Sequence, residues 1–181
     1  MRYILLILGL VMVTSIDAQE VDKKEKRRLE KEKREQELKK KYEATVQFVE
    51  NKQFVLEANY LQDRYGNRVS VNSTINFIYV DSDEAILQIG SNSGAGYNGV
   101  GGFTIEGKIN RWEMKRNDKN KNIRVNMDIM GSAGIYQVTL SISPDRQTSA
   151  VLTSITSGRL EYSGNLVALD KSRVYKAKTT Y

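Results

Sequence analysis

The residues that could do chemistry are few, and their types narrow that chemistry sharply. The chain has no histidine and no cysteine. Ser-His-Asp and Cys-His catalysis, His-ligated zinc and histidine proton relays are therefore excluded together, as are disulfides. The run Gly94 to Gly99, GAGYNG, has the literal form G-x-G-x-x-G. A dinucleotide fingerprint requires this motif to open a helix, whose free N–H groups meet the pyrophosphate. Here Val100 to Ile109 reads as strand, so the run is an inter-strand loop. Its glycines permit close backbone approach, and Tyr97 and Asn98 at its centre are candidate ligand contacts.

The carboxylates give less. Asp81, Asp83 and Glu84 share one turn, but no Gly and no terminal Glu fall where a calcium loop needs them. Asp118, Asn120 and Asn122 match three positions of that loop; Ile123 and Ile129 then replace its Gly and its bidentate Glu. Both segments read as hairpin turns. Glu106 and Glu113 fall on neighbouring expected strands, yet a glycosidase pair needs about 5–9.5 Å of separation and a shaped cleft. Nothing in the sequence indicates either. Trp112, the single tryptophan, and the ten tyrosines are candidates for lining a pocket. The expected ligand contacts are thus Tyr97, Asn98 and Trp112. No catalytic residue, metal or cofactor is expected, and the chain is read as not an enzyme.

The elements that must position these residues begin with a leader. Arg2 precedes an apolar run, Ile4 to Val13, and a short, more polar stretch, Thr14 to Asp17, ends at the small Ala18. This is the form of a cleavable secretory signal, residues 1–18, and the run is too short to span a bilayer. The chain is therefore expected to be exported by a bacterium, as a periplasmic or secreted protein with no transmembrane segment after cleavage. Residues 19–50 form a charged helical arm. Residues 20–41 hold eleven Lys/Arg and seven Asp/Glu, against sixteen and fourteen in residues 42–181. The basic character of the chain, +6 overall, therefore belongs mainly to the arm. Five acid-to-base pairs at i, i+4 favour an exposed helix: Glu20–Lys24, Asp22–Lys26, Glu30–Arg34, Glu35–Lys39 and Glu37–Lys41. Leu38, Tyr42, Val46 and Val49 recur on one helical face and are expected to dock on the domain that follows. Between Glu20 and Lys41 there is no aromatic residue, so nucleic acid is not an expected partner.

From Gln53 the apolar period becomes two. Expected strands start near Phe54, Ile75, Ala85, Phe103, Arg111, Ile123, Ile135 and Ala150, with a last short one at Arg159 to Tyr162. Asn110 is read as a corner between two of them. Residues 51–181 are thus a mainly β domain, an antiparallel meander of about eight strands. A meander of this size must curl or expose long edges, which favours a barrel-like (lipocalin-like) form over a sandwich.

Three stretches then carry a resemblance: NFIYVDSDEAILQIG, the Gly-rich GYNGVGGFTIEGKI, and LEYSGNLVAL near the end. Together they resemble domain-of-unknown-function family 4251, exported proteins of Gram-negative bacteria with a charged N-terminal segment. The similarity covers about residues 45–178. Its most specific part is Gly99, Gly101 and Gly102 followed by Glu106–Gly107. It implies the compartment and the β domain, and no activity. The function expected from the architecture is a non-enzymatic periplasmic binding module, holding a small apolar or amphipathic ligand inside the curved sheet. The alternative is an envelope structural or assembly protein acting through protein contacts. The oligomeric state is left open.

Overall fold

The computed structural model describes residues 2–91, 101–154, 158–177 and 179–180, with side chains described from residue 23 onward. Residues 1–40 and 41–181 form two compact units. The first unit is helical, part of α1 (Arg2–Glu50). Its described side chains are almost all exposed, and Leu29 is more than half so. The ion pairs that close there are Glu25–Arg28, Arg28–Glu32 and Lys31–Glu35, at 3.6–3.9 Å. Of the pairs expected from the acid-first spacing, Glu30–Arg34, Glu35–Lys39 and Glu37–Lys41 are not among them, and the side chains of Glu20 and Asp22 lie outside the described ones. Each such contact contributes only a few tenths of a kcal/mol, too little to hold an exposed side chain to one partner.

The second unit holds the last turns of α1 and nine strands: β1 (Gln53–Asp63), β2 (Arg68–Ser70), β3 (Phe77–Asp81), β4 (Glu84–Ile89), β5 (Phe103–Asn117), β6 (Asn122–Gly131), β7 (Gly134–Ile142), β8 (Gln147–Ser154) and β9 (Gly158–Ala168). A short 3-10 turn, Leu169–Lys171, follows. Every pairing is antiparallel, and β3 to β9 each pair with their neighbour in sequence. Strand β9 then pairs with β1, from Phe54↔Ala168 to Asp63↔Leu160, and closes an eight-stranded barrel. The sandwich alternative is thereby removed. Strand β2 stands outside the ring, paired through Tyr60↔Ser70 and its neighbours to β1.

Two expectations about strands need correction. Asn110 is not a corner between strands: β5 runs unbroken, and Asn110 is the extra residue of a bulge between Ile109 and Arg111. The final strand is not short: β9 spans eleven residues. Its interior contains Ser163, Gly164 and Asn165, poor strand formers whose pairing comes from closure rather than propensity.

The alternation of each strand resolves into an inside and an outside. Phe54, Leu56, Ile78, Leu87, Ile105, Val125, Met127, Ile129, Val138, Leu140, Leu152, Tyr162 and Leu166 are buried together in one core. Val46 and Val49 of α1 are buried in the same core, with Tyr42 and Phe48 packed against it. Of the docking face read at Leu38, Tyr42, Val46 and Val49, the last three are therefore present, while Leu38 belongs to the first unit. Lys52, at φ 53°, turns the chain out of the helix into β1.

A smaller outer cluster forms on β1, β3 and β4 from Val55, Phe77 and Ile86, with Leu169 and Val174 packed over it. The C-terminal segment continues along this wall. Tyr175 N donates to Thr74 O at 2.8 Å, and Thr180 N donates to Thr104 O at 2.9 Å. The segment is a strap on the outer wall, stitched to β4 and β5.

Candidate functional site

The outer wall of β5 to β9 carries a groove of about 640 Å³. It is assembled by register. Lys115 pairs with Arg124, Arg124 with Ser141, Ser141 with Ser149, and Ser149 with Ser163. These five residues form one row across five strands, and all five line the groove. Three small serines beside two long cations leave a trough where bulkier residues would fill the wall. Asn117, Asn120 and Asn122 at the β5–β6 turn, and Ser143 and Gln147 at the β7–β8 turn, also line it. Arg116 and the buried Ile123, Ile142, Thr148 and Gly164 complete the lining.

The turns that frame the groove are held by their own polar side chains. Asn117 Oδ1 accepts from the amides of Lys119 at 3.1 Å and Asn120 at 3.3 Å, and Asn120 Oδ1 accepts from Asn122 N at 3.1 Å. Lys121 sits at φ 55° to complete the reversal. Of the calcium-like spacing, the Asn120 amide oxygen is thus spent on the turn itself. At the other turn Arg146, at φ 75°, donates from Nε to Thr45 Oγ1 at 2.8 Å and lies over the Phe48 ring. Burial of its guanidinium pushes its pKa down.

The cations of the groove differ in their commitments. Lys115 Nζ meets Glu113 at 2.8 Å, and Arg116 meets Glu50 of α1 at 3.2 Å. The hydrogen bond from Lys115 is the main reason the Glu113 carboxyl stays below its usual range. Arg124 is exposed and makes no ion pair among the described residues.

The residues singled out from sequence fall elsewhere. Trp112 points toward the core, its ring 6.2 Å from that of Phe54, with Lys52 Nζ 5.7 Å from its centre. It also borders a shallow depression with Glu50, Met114, Arg116 and Asp118. Tyr97 and Asn98 lie outside the described residues, as does the GAGYNG run that contains them. Glu106 and Glu113 are not on neighbouring strands. Both lie on β5, seven positions apart, and at roughly 3.3 Å per residue they are about 20 Å from each other. Each is also spoken for, Glu106 by Lys176 and Thr179, and Glu113 by Lys115 and Arg111. The Asp81–Glu84 turn joins β3 to β4, and Asp83 accepts from Lys52 Nζ at 2.7 Å. Among the described residues no group of three acidic side chains could hold a metal ion.

A model of the family described as Domain of unknown function (DUF4251) matches residues 36–166. The chain belongs to this family. A crystal structure of a DUF4251 family protein from Bacteroides eggerthii DSM 20697, at 1.95 Å resolution, is similar to it with a TM-score of 0.63 and 28% identity. The similarity covers 75% of this chain and 93% of the other. No curated protein matches. The family region contains β1 to β8, most of β9 and the docked turns of α1, so every residue lining the groove lies inside it. The strap from Ser172 onward lies beyond it.

The groove was not singled out from sequence. Its signal is present but faint: Arg124, Ser141, Ser149 and Ser163 are outward positions on four different strands. Only the register makes them neighbours.

Proposed function

We propose that this protein is a non-enzymatic binding module that works after export, and that its ligand lies in the groove on the outer wall of β5 to β9. The observation that carries this reading is the row from Lys115 to Ser163, a continuous set of hydrogen-bonding side chains along a trough of about 640 Å³. The trough's volume falls within the roughly 300–1,000 Å³ of small-ligand pockets. The barrel interior supports an internal apolar ligand less well, because Phe54, Leu56, Met127, Leu140 and Tyr162 fill it. The ligand is accordingly amphipathic or polar rather than wholly apolar. Support for export is the basic start, the short apolar run and the more polar stretch that ends at the small Ala18. Among the described residues no helix is long and apolar enough to cross a membrane.

The assembly reading has one specific observation in its favour. Among the described residues strand β2 pairs with β1 alone, and its other edge is available there for strand addition.

Native mass spectrometry of the protein purified from cell envelopes tests both. The binding reading expects a chain beginning at Gln19 with an added mass that leaves on denaturation. A bare monomer under the same conditions counts against it, and an integer multiple of the chain mass favours assembly instead.

A further inference from the structure

We propose that the groove is built for an acidic saccharide, with Arg124 as the anchor for its anionic group and the serine row as the contacts for its ring hydroxyls. This rests on the groove reading above and adds the chemistry of the ligand. No Asp or Glu lines the groove, whereas three cations do. Lys115 and Arg116 are already committed to Glu113 and Glu50. Arg124 is left with a planar fork of N–H donors, the geometry that meets a carboxylate or sulfate through two parallel hydrogen bonds.

The rest of the row decides what the anion is attached to. Ser141, Ser149 and Ser163 follow Arg124 in direct register on successive strands. With neighbouring strands roughly 4.8 Å apart, the row extends about 14 Å from Arg124, longer than a bare inorganic anion can use. Each hydroxyl both donates and accepts, which suits a partner made of hydroxyls. No aromatic side chain lines the groove, so a nucleobase has nothing to stack on. The two isoleucines of the lining are 1% and 2% exposed, so neither offers its side chain to an acyl chain.

The test is isothermal titration of the folded full chain with three oligosaccharides of matched length: carboxylated oligogalacturonate, sulfated dextran oligomers and neutral maltooligosaccharide. One acidic ligand should bind at least tenfold more tightly than the neutral one, and the carboxylate and sulfate arms identify the anionic group. Arg124→Gln should remove that preference. Ser149→Leu, which fills the trough, should abolish binding, with circular dichroism and the melting temperature of each variant unchanged. Equal binding of neutral and acidic ligands, unaffected by Arg124→Gln, overturns the role of Arg124 and leaves a groove ligand in place. Acidic binding that survives Ser149→Leu and follows ionic strength alone is diffuse attraction and overturns the site. If no saccharide binds, the proposal fails, while a different mass carried in the native spectrum would still support the groove reading.

Discussion

The Oε1 atom of Gln88 accepts a hydrogen bond from the backbone amide of Ala177 at 2.8 Å, joining β4 to the C-terminal strap across 89 positions of sequence. The rest of the Gln88 amide is equally engaged. Its Nε2 donates to Tyr175 O at 2.8 Å and to Ile75 O at 3.2 Å, and its Oε1 also accepts from Thr104 Oγ1 at 3.2 Å. Gln88 is wholly buried. A buried amide in this position acts as a substitute strand, presenting to the strap the donor and acceptor that a backbone would. Gln88→Ala leaves several buried groups without partners and should cost about 2–4 kcal/mol in denaturant unfolding. Hydrogen exchange at Ala177 and Thr180 should accelerate well beyond that of β6 and β7.

Glu106 secures the same strap from β5. Its carboxylate accepts from Thr179 Oγ1 and pairs with Lys176 Nζ at 3.1 Å. The Thr179 hydroxyl, ahead of Lys176, holds its pKa below the usual carboxylate range. A depressed folded pKa means the contribution is whole above the unfolded value, near 4.3, and is lost as pH falls through the folded one. The strap should therefore loosen at acid pH before the barrel does. Glu106→Gln should flatten this dependence and weaken the strap by less than about 1 kcal/mol at neutral pH, since the pair is solvent-exposed. Amide exchange at Thr180 followed against pH checks it.

Gly164 lies where β9 crosses the bulged part of β1. A β-carbon there would collide with the Glu57 carbonyl oxygen and sit 2.8 Å from Ala58 Cα. Both are backbone atoms, so no rotamer change relieves the clash. Gly164→Ala should destabilise the barrel by about 2 kcal/mol or more, because β1 and β9 must separate to admit the methyl group. A loss under 0.5 kcal/mol in chemical denaturation would show that the closing seam tolerates such a shift.

Tyr162 is fully buried in the barrel, and among the described residues its hydroxyl has no hydrogen-bond partner. Burial raises its pKa. An unsatisfied buried hydroxyl costs about 1–3 kcal/mol, so removing it while keeping the ring should be neutral or stabilising by up to about 1 kcal/mol. A Tyr162→Phe variant that loses more than 1 kcal/mol would show that the hydroxyl is bonded in solution.

Val49 is wholly buried in the barrel core although it belongs to α1. Val49→Ala should cost about 2 kcal/mol through lost burial and the cavity left behind. Substituting the exposed Leu29 on the same helix should change stability by less than about 0.5 kcal/mol. Thermal melts of the two variants side by side distinguish the docked turns from the exposed ones.

The β domain was legible because its signal is local. Ile123, Val125, Met127 and Ile129 alternate with polar residues, and a strand with one buried face must alternate so. The hairpin turns at Asp81–Glu84 and Asn117–Asn122 were legible for the same reason. The bulge at Asn110 was not, because an extra residue shifts the alternation by one and resembles a break. Nor was the length of β9, where Gly164 and its polar neighbours hide a strand that closure imposes. The strap was missed because its polar and charged residues carry no periodic pattern; its bonds run to Gln88, Thr104 and Glu106, far away in sequence.

By itself the sequence determined the absence of histidine and cysteine chemistry, the helical arm, the alternation that makes a β domain and the resemblance to the family. Those properties reside in composition and in periods of two to four residues. Tertiary structure alone decided that the sheet closes through β1 and β9, that its interior is occupied by its own side chains, and that Arg124, Ser141, Ser149 and Ser163 stand in one row. Register between distant strands is set by the joint burial of all inward faces, so no single segment encodes which outward residues become neighbours.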